Sequence, residues 1–444
     1  MNKSTIKKII KDNDLTDVDS LLFFLEEQIN NYSLDDLREI AELSNENRNN
    51  NSAFYTNRFI VDEMINDIPI VDSDEISVLE PSSGIGNFVI PFIEKISRHY
   101  KKVRVDINDI DSDSLRVLKF FVDKSAIPSN VYINYYNYDF LSGMAFINKK
   151  YDYLIGNPPF QRVSNKVATE NGYPGVTNLS GQFLIKSLQI SKYVSLIMPK
   201  NLLSTMDFEL VRKLLSTKKI NSIVDFGEKG FKGVLIETIG ILVNSLDSPH
   251  FTKVKSIVNG EEKCHNQKYI MDEKFPNWLI YRNSDFDNIA QKMEFDYFKV
   301  FRDRQITNKI LSDQGTIRVI RSRNISRDGS RILDIDGYDK FLKDVNVEKL
   351  SVYKYLKDDK VYLSPNMTYY PRIIRKDREF LVNGSVAILI PKNGILLQKK
   401  QVDFINSNEF REFYNVARNR GTRSLNIDNT SVFWFGKYIG DDSK

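Results

Sequence analysis

The segment that organises the first half of the sequence is Ser77–Phe88 (SVLEPSSGIGNF). Its β-rich start belongs to the predicted strand Ile76–Leu79, and a turn with Gly84 and Gly86 follows before a helical pattern. Glycine lacks a Cβ, so such a turn lets the backbone approach a ligand closely, although it also occurs as a purely structural turn. The third glycine of the G-x-G-x-x-G pattern is absent, which disfavours a NAD-type site. The segment therefore predicts an α/β fold with a ligand at the end of its first strand.

Strand and helix patterns alternate from about residue 52 to 245, which is typical of a doubly wound, mainly parallel sheet with helices on both faces. The last two strands have no helix between them, which predicts an antiparallel pair at the sheet edge. Seven runs predict strands: Ile76–Leu79, Val103–Ile107, Val131–Ile133, Tyr153–Ile155, Tyr193–Met198, Ile223–Val224 and Thr238–Val243.

Patterning divides the chain into four parts. Residues 1–50 form a predicted helical extension, in which Ser33 and Asp36 resemble an N-cap pair. Residues 51–250 are the α/β domain, 251–294 a connector and 295–444 an irregular C-terminal domain. Residues 301–444 hold 27 Lys and Arg against 18 Asp and Glu, whereas the whole chain carries +4. This asymmetry indicates a polyanionic partner for the C-terminal domain, with a solvated basic surface as the alternative.

Composition excludes several classes of protein. The 444 residues are 41% hydrophobic and 27% charged, which argues for folded domains. No apolar run approaches the ~20 residues that span a bilayer, and no export signal is recognised. A single cysteine, Cys264, and three scattered histidines argue against disulfides and against a metal site. We therefore expect a cytoplasmic protein without a metal ion or a membrane anchor.

A second segment, Tyr151–Phe160 (YDYLIGNPPF), resembles the catalytic motif of the amino methyltransferases, which act on adenine N6, cytosine N4 or related planar amides. An exocyclic ring amine is a weak nucleophile, because its lone pair is delocalised. The side-chain oxygen of Asn157 and the carbonyl of Pro158 can accept its two hydrogens and free that lone pair for methyl transfer. Proline stiffens the turn and removes competing donors, and Phe160 can stack on the target ring. The segment predicts methylation of a planar amine or amide.

The two segments, in this order, resemble the gamma-type N6-adenine DNA methyltransferases of restriction–modification systems, and most closely those that accompany Type IIS endonucleases. The resemblance implies S-adenosylmethionine (AdoMet) as cofactor, a mainly parallel seven-stranded sheet and a mixed α+β target-recognition domain. Asn57 stands where the family usually has proline, and Asp106 is a rival to Asp109 for the cofactor ribose. The implied cofactor-binding residues are Tyr55, Thr56, Glu80, Pro81, Gly84, Gly86, Asp109, Ile110, Asp139, Phe140 and Asn157.

The resemblance also implies catalytic and DNA-binding residues. Phe231 is placed beside the flipped base, with an ordinary core aromatic as the alternative. A single arginine of the C-terminal domain is more often a phosphate contact than a base reader. The implied catalytic residues are Asn157, Pro158, Pro159, Phe160 and Phe231. The implied DNA-binding residues are Arg302, Arg304, Arg321, Arg323, Asn324, Tyr369, Tyr370, Arg372, Arg420 and Arg423.

The function that the resemblance implies is site-specific adenine-N6 methylation of duplex DNA with base flipping, in a bacterial restriction–modification system. Double-stranded DNA and a cognate restriction endonuclease are the implied partners, and we expect a monomer. Two alternatives remain open from the residues. One is methylation of RNA or of a protein glutamine, and the other is a catalytically silent DNA-binding subunit.

Overall fold

The computed structural model describes residues 1–45, 58–142, 146, 149–230, 235–343, 346–422 and 425–440. The chain divides into two compact units, Met1–Tyr269 and Ile270–Lys444. Each unit has its own cluster of buried apolar side chains. No helix in the described ranges is long and apolar enough to cross a membrane.

The first unit is built on a sheet with helices along the chain between its strands. Its helices are α1 Lys3–Asp12, α2 Val18–Gln28, α3 Leu34–Ser44, α4 Arg58–Asn66, α5 Val89–Ile96, α6 Ser112–Asp123, α7 Asn165–Glu170, α8 Leu179–Ile190, α9 Glu209–Leu215 and α10 Gln267–Ile270. Its strands are β1 Glu75–Glu80, β2 Lys102–Asn108, β3 Val131–Tyr136, β4 Tyr151–Gly156, β5 Ser191–Pro199, β6 Lys219–Gly227, β7 Thr238–Asn244, β8 Phe251–Ser256 and β9 Glu262–Asn266.

The sheet has nine strands in the order β3-β2-β1-β4-β5-β7-β6-β8-β9. Strands β3, β2, β1, β4 and β5 run parallel, and β7 is antiparallel to both β5 and β6. The predicted α/β class is confirmed, and each of the seven predicted runs falls in one of β1 to β7. The sheet is larger than the predicted seven strands. Because β8 and β9 extend it beyond β6, the antiparallel pair of β6 and β7 is not at the edge.

The N-terminal helices belong to the same core as the sheet. Buried side chains of α1, α2 and α3 cluster with those of α4, α5, α6 and β1. The predicted N-cap is present, since the backbone N–H of Asp36 donates to the Ser33 hydroxyl at 3.1 Å. The predicted boundary at residue 50 is therefore not a boundary between compact units in this structure. Likewise, the predicted connector contributes β8 and β9 to the sheet.

One buried amide fixes the ends of three neighbouring strands. Asn108, at the end of β2, is completely buried. Its Nδ2 donates to the carbonyls of Pro81 and Tyr138, both at 3.0 Å, and its Oδ1 accepts from the Tyr138 N–H at 3.1 Å. Pro81 follows β1 and Tyr138 follows β3. These hydrogen bonds satisfy turn groups that the strands leave unpaired, and so they fix the three turns relative to one another.

In its described residues, the second unit contains small sheets and three α-helices, in agreement with the prediction of a mixed α+β domain. Its two larger sheets have the orders β11-β19-β15-β17 and β12-β14-β13-β18. Rings of Phe275, Phe286, Phe413 and Trp434 pack together. The helices are α11 Ser284–Ala290, α12 Lys399–Ile405 and α13 Asn408–Ala417. The strands are β10 Met293–Glu294, β11 Phe298–Arg302, β12 Leu311–Ser312, β13 Arg318–Ile320, β14 Lys340–Leu342, β15 Tyr362–Pro365, β16 Met367–Thr368, β17 Ile374–Arg375, β18 Leu381–Val382, β19 Val386–Pro391, β20 Leu425–Asn426 and β21 Lys437–Tyr438.

We expect Asn108→Ala to lower the free energy of unfolding by about 2–4 kcal/mol, because it removes three hydrogen bonds and strands buried backbone groups. Urea unfolding followed by circular dichroism measures the change. The control is Asn31→Ala, at an exposed asparagine, which should change stability by less than about 0.5 kcal/mol. Equal unfolding curves for the two variants would contradict the role assigned to Asn108.

Candidate active site

A cavity of about 400 Å³ lies at the carboxyl ends of β1, β2 and β4. Parallel strands end at the same edge of a sheet, so the turns that follow them converge there. The cavity is lined by Glu42, Asn45, Glu80, Pro81, Ser82, Ser83, Gly84, Ile85, Asn87, Phe88, Asp109, Ile110, Asp111, Ser114, Tyr138, Asp139, Phe140, Leu141, Asn157, Pro159, Gln161, Val163, Val167, Asn171, Leu179 and Phe183.

Glu80 ends β1 with its carboxyl group inside the fold. The residue is 2% exposed, and its Oε2 has no hydrogen-bond partner among the described residues. Burial, and then the nearby charge of Asp109, raise the pKa of Glu80 well above its usual value. Gly156, on the neighbouring strand β4, has φ +148°, and a Cβ there would lie 3.6 Å from Glu80 Cγ. That distance is an ordinary van der Waals contact, so the positive φ rather than a lack of space favours glycine at the end of β4.

Asp109 follows β2 and faces the same cavity. Its Oδ2 accepts a hydrogen bond from the Gly84 N–H at 2.7 Å, and its Oδ1 accepts one from the Asp111 N–H at 2.9 Å. Burial raises the pKa of Asp109 to about 6, although these amides act in the opposite direction. The carboxylate therefore joins the turn after β1 to the turn after β2.

The rival residue Asp106 lies in a different environment. It accepts hydrogen bonds from Lys149 at 2.8 Å, Tyr151 at 2.7 Å and Asn134 at 2.9 Å. These partners hold the pKa of Asp106 below its usual value despite partial burial. Asp106 is not among the residues that line the cavity. Of the two rival residues, only Asp109 lines the cavity.

The turn after β3 brings Asp139 and Phe140 to the cavity. Asp139 is exposed, and its Oδ1 accepts the Leu141 N–H at 3.0 Å. Phe140 is buried, and the Nζ of Lys186, on α8, donates to its carbonyl oxygen. The same ammonium group lies 4.9 Å from the centre of the Phe140 ring. A buried lysine therefore fixes this turn, a role that the sequence pattern did not indicate.

The Asn-Pro-Pro-Phe turn follows β4. Asn157 and Pro159 line the cavity, whereas Pro158 and Phe160 are not among its lining residues. Ser82 Oγ donates to the Asn157 carbonyl at 3.3 Å, and Asn178 Nδ2 donates to the Phe160 carbonyl at 3.3 Å. Phe160 is partly buried and packs against the core. The Asn157 side chain thus shares the cavity with Glu80, Asp109 and Asp139.

One predicted residue of the glycine-containing turn, Gly86, is not among the lining residues of the cavity. Gly86, with φ +91°, is buried, and a Cβ there would lie 3.1 Å from Leu118 Cγ, so its position meets a packing requirement. Four predicted site residues lie outside the described residues: Tyr55, Thr56, Phe231 and Arg423.

Sequence reasoning missed the contribution of α3. Glu42 and Asn45 line the cavity, although they lie in the helical extension. Gln161, Asn171 and Phe183, which follow the Asn-Pro-Pro-Phe turn, were also missed. Glu42 occupies an amphipathic helix, where a charged residue is usually read as solvated. Only the packing of α3 on the sheet reveals its position.

In the second unit, arginine and tyrosine side chains pair at the predicted DNA-binding residues. The guanidinium groups of Arg321 and Arg323 lie 3.7 and 4.7 Å from the Tyr338 ring centre. Tyr369 and Tyr370 are exposed, and so are Arg304 and Arg323. The Arg420 guanidinium lies 5.0 Å from the Tyr281 ring centre, and Arg302 is partly buried.

Two predicted DNA contacts need correction. Asn324 is completely buried, and its side chain accepts from the Arg321 N–H and donates to Leu333 and Asp339. Arg372 is 9% exposed, and its guanidinium donates to carbonyl oxygens that include those of Ser326 and Ile325. Both side chains are used in holding loops together, which removes the basis for assigning them to DNA.

Comparison with known proteins matches part of the first unit to a family model. Residues 70–231 match the family model described as Eco57I restriction-modification methylase. A curated relative, the Type II methyltransferase M.VspI of Vibrio sp. (strain 343), is 28% identical over 235 residues, which are 49% of this chain and 54% of the relative. The chain thus spans about half the length of the curated relative it matches.

Two of the solved structures that match this chain come from restriction systems. A modification subunit of a putative type I restriction enzyme from Vibrio vulnificus YJ016 is 16% identical, with a TM-score of 0.41 over 55% of this chain and 53% of that chain. The type IIG restriction endonuclease BpuSI is 11% identical, with a TM-score of 0.46 over 92% of this chain and 63% of that chain. The predicted resemblance to restriction–modification methyltransferases is confirmed by the family match over residues 70–231. A methylase family implies AdoMet as cofactor, in agreement with the prediction.

We expect the ligand-free protein to lose stability as the pH rises. Glu80 and Asp109 have raised pKa values in the folded state, so both bind a proton more tightly there than in the unfolded chain. Their stabilising contribution is complete below the unfolded pKa of about 4. It is lost as the pH rises through about 6 for Asp109 and through the raised pKa of Glu80.

Glu80→Gln isolates the part that is due to Glu80. The variant should be more stable than wild type at about pH 8 and nearly equal to it at about pH 4, where Glu80 is mostly protonated in the unfolded chain as well as in the folded one. Urea unfolding at both pH values measures the difference, with the exposed Glu27→Gln as control. A difference that is the same at both pH values would contradict the buried-carboxyl interpretation.

Proposed function

We propose that the protein is a site-specific DNA adenine-N6 methyltransferase that uses AdoMet and acts in a restriction–modification system. One observation carries the proposal: side chains from three separate motifs, Glu80, Asp109 and Asp139, share a cavity with Asn157. The family match over residues 70–231 supports a methyltransferase of this class. Adenine as the target base is inferred from the motif order and from Phe160.

The residues of the cavity fit AdoMet. A cation is a suitable partner for the Glu80 carboxyl, whose buried Oε2 has no partner among the described residues. In our proposal Asp109 accepts the ribose hydroxyls, and Asp139 with Phe140 meets the adenine ring. The bound cofactor supplies a methyl group activated by its sulfonium centre. The protein supplies position, charge and exclusion of water.

The reacting amine is prepared by the turn after β4. In our proposal the Asn157 side-chain oxygen and the Pro158 carbonyl accept the two hydrogens of the adenine amine. Those hydrogen bonds strengthen as the nitrogen gains positive charge, so they favour the transition state over the ground state. Removal of the adenine from the duplex costs a few kcal/mol. Phe160 then stacks on the flipped adenine.

The second unit is our candidate for DNA recognition. Residues 301–444 carry an excess of nine positive charges, and the exposed Arg304, Arg323, Tyr369 and Tyr370 provide phosphate-binding and stacking groups. We infer a monomer that acts on host DNA in the cytoplasm, together with a cognate restriction endonuclease.

The first test is transfer of labelled methyl from AdoMet to mixed-sequence bacterial DNA, followed by nucleoside analysis. N6-methyladenine would support the proposal, and sequencing of the modified DNA would give the site. Label in RNA or in protein glutamine, offered in the same assay, would overturn the choice of DNA. DNA binding without transfer to any substrate would favour the catalytically silent subunit.

Asn157→Ala should slow methyl transfer at least about 100-fold, because it removes an acceptor that acts on the amine in the transition state. AdoMet binding, measured by calorimetry, should persist. Asn31→Ala is the matched control and should retain wild-type kinetics, since this exposed residue is remote in sequence from the turn after β4. Full activity of Asn157→Ala would disprove the mechanism.

Phe160→Ala should reduce kcat/KM by about tenfold to 100-fold, in line with ~1–3 kcal/mol for stacking on a base. Because Phe160 also packs against the core, the variant and wild type are assayed at a temperature at which both are fully folded. Phe160→Tyr, which keeps the ring, should retain most of the activity. Equal kinetics for alanine and wild type would argue against stacking.

A further inference from the structure

We propose that the N-terminal extension forms one wall of the cofactor cavity and that Glu42 is a further cofactor-binding residue. In this role its carboxylate accepts a hydrogen bond from a donor group of the ligand. The inference rests on the proposed function, since it takes the cavity to be the AdoMet site. Glu42 lies on α3, outside the residues that match the methylase family.

The end of α3 is attached to both turns that begin the cavity. Asn87 Nδ2, in the glycine-containing turn after β1, donates to Glu42 Oε1 at 2.5 Å. Asn45 Nδ2 donates to Ser114 Oγ at 3.2 Å, and Ser114 Oγ donates to Asp111 Oδ2 at 2.7 Å. Asp111 caps the helix that follows β2. All of these residues line the cavity, so α3 is fixed at the place where the two turns meet.

The core explains why α3 remains there. Leu37, Ile40 and Ala41, on the preceding turns of the helix, are at most 1% exposed and belong to the main core of the unit. At about 25 cal/mol per Å² of apolar surface, burial of these side chains stabilises the packing of α3 against the core. Glu42 follows Ala41 directly, and its direction is therefore set by the packed face of the helix.

The charge of the cavity indicates which ligand atoms Glu42 would meet. Five carboxyl groups line it, and no lysine or arginine is among the described lining residues. The unpartnered, buried Oε2 of Glu80 is an independent sign of a missing donor in the same cavity. A cationic ligand with hydroxyl and ammonium donors, such as AdoMet, matches this lining. A ligand of the same shape without the sulfonium charge matches it less well.

Calorimetry of AdoMet and of S-adenosylhomocysteine, which lacks the sulfonium charge, with the full chain tests the proposal. Glu42→Gln should weaken AdoMet binding about tenfold, because the amide oxygen still accepts the hydrogen bond but lacks the negative charge that strengthens it. The loss should be smaller for S-adenosylhomocysteine. Glu27→Gln, which removes an exposed carboxylate from the same extension, should bind both ligands as wild type does. The unfolding temperature of each ligand-free variant shows that the site is folded.

A double-mutant cycle separates direct contact from positioning of Asn87. If Glu42 meets the ligand, Glu42→Gln should still weaken AdoMet binding in an Asn87→Ala background. If it acts only through Asn87, the effect should vanish there, and direct contact is disproved. Wild-type AdoMet affinity in Glu42→Gln also overturns the inference, whereas wild-type protein that does not bind AdoMet at all overturns the proposed function instead.

Discussion

The candidate site depends on the buried amide of Asn108. Its three hydrogen bonds reach Pro81 and Tyr138, and these residues directly follow or precede Glu80 and Asp139. Asn108 itself precedes Asp109. One side chain thus holds in register the three carboxylates that come from three different strand ends. A parallel sheet brings such ends to one edge, but it does not by itself fix the turns beyond them. The amide does so without occupying the cavity.

The same carboxylates destabilise the folded chain when they are ionised. Burial of Glu80 and Asp109 raises the pKa of each, because a charge without a solvent shell is unfavourable. The unfavourable burial of these charges occurs in a cavity where a positively charged ligand would compensate for it. Asp106 shows the contrast, since Lys149, Tyr151 and Asn134 satisfy its charge within the protein. One aspartate is therefore satisfied within the protein, while its neighbour three residues later lines the cavity.

Much of the fold could be predicted, because β1 to β7 are marked by β-rich runs and separated by helical patterns. The cavity residues Glu80, Asp109, Asp139 and Asn157 could be predicted from motifs, since each ends a strand or lies in the turn that follows one. Residue type alone failed for Asn324 and Arg372, which have the chemistry of DNA readers but hold loops together inside the second unit. It also failed for Glu42, whose position depends on how α3 packs on the sheet. Burial of this kind arises from tertiary contacts that no local pattern carries.

The division of the chain after Tyr269 has a consequence for how such proteins diversify. None of the strand pairs in the described ranges joins the two units, and each apolar cluster lies within one of them. Genetic recombination at this point would exchange the second unit whole and leave the cavity intact. Recombination near residue 50 would instead separate α3 from the sheet and split a core. Inheritance of the helical extension is therefore tied to that of the cavity, while the basic unit is free to be replaced.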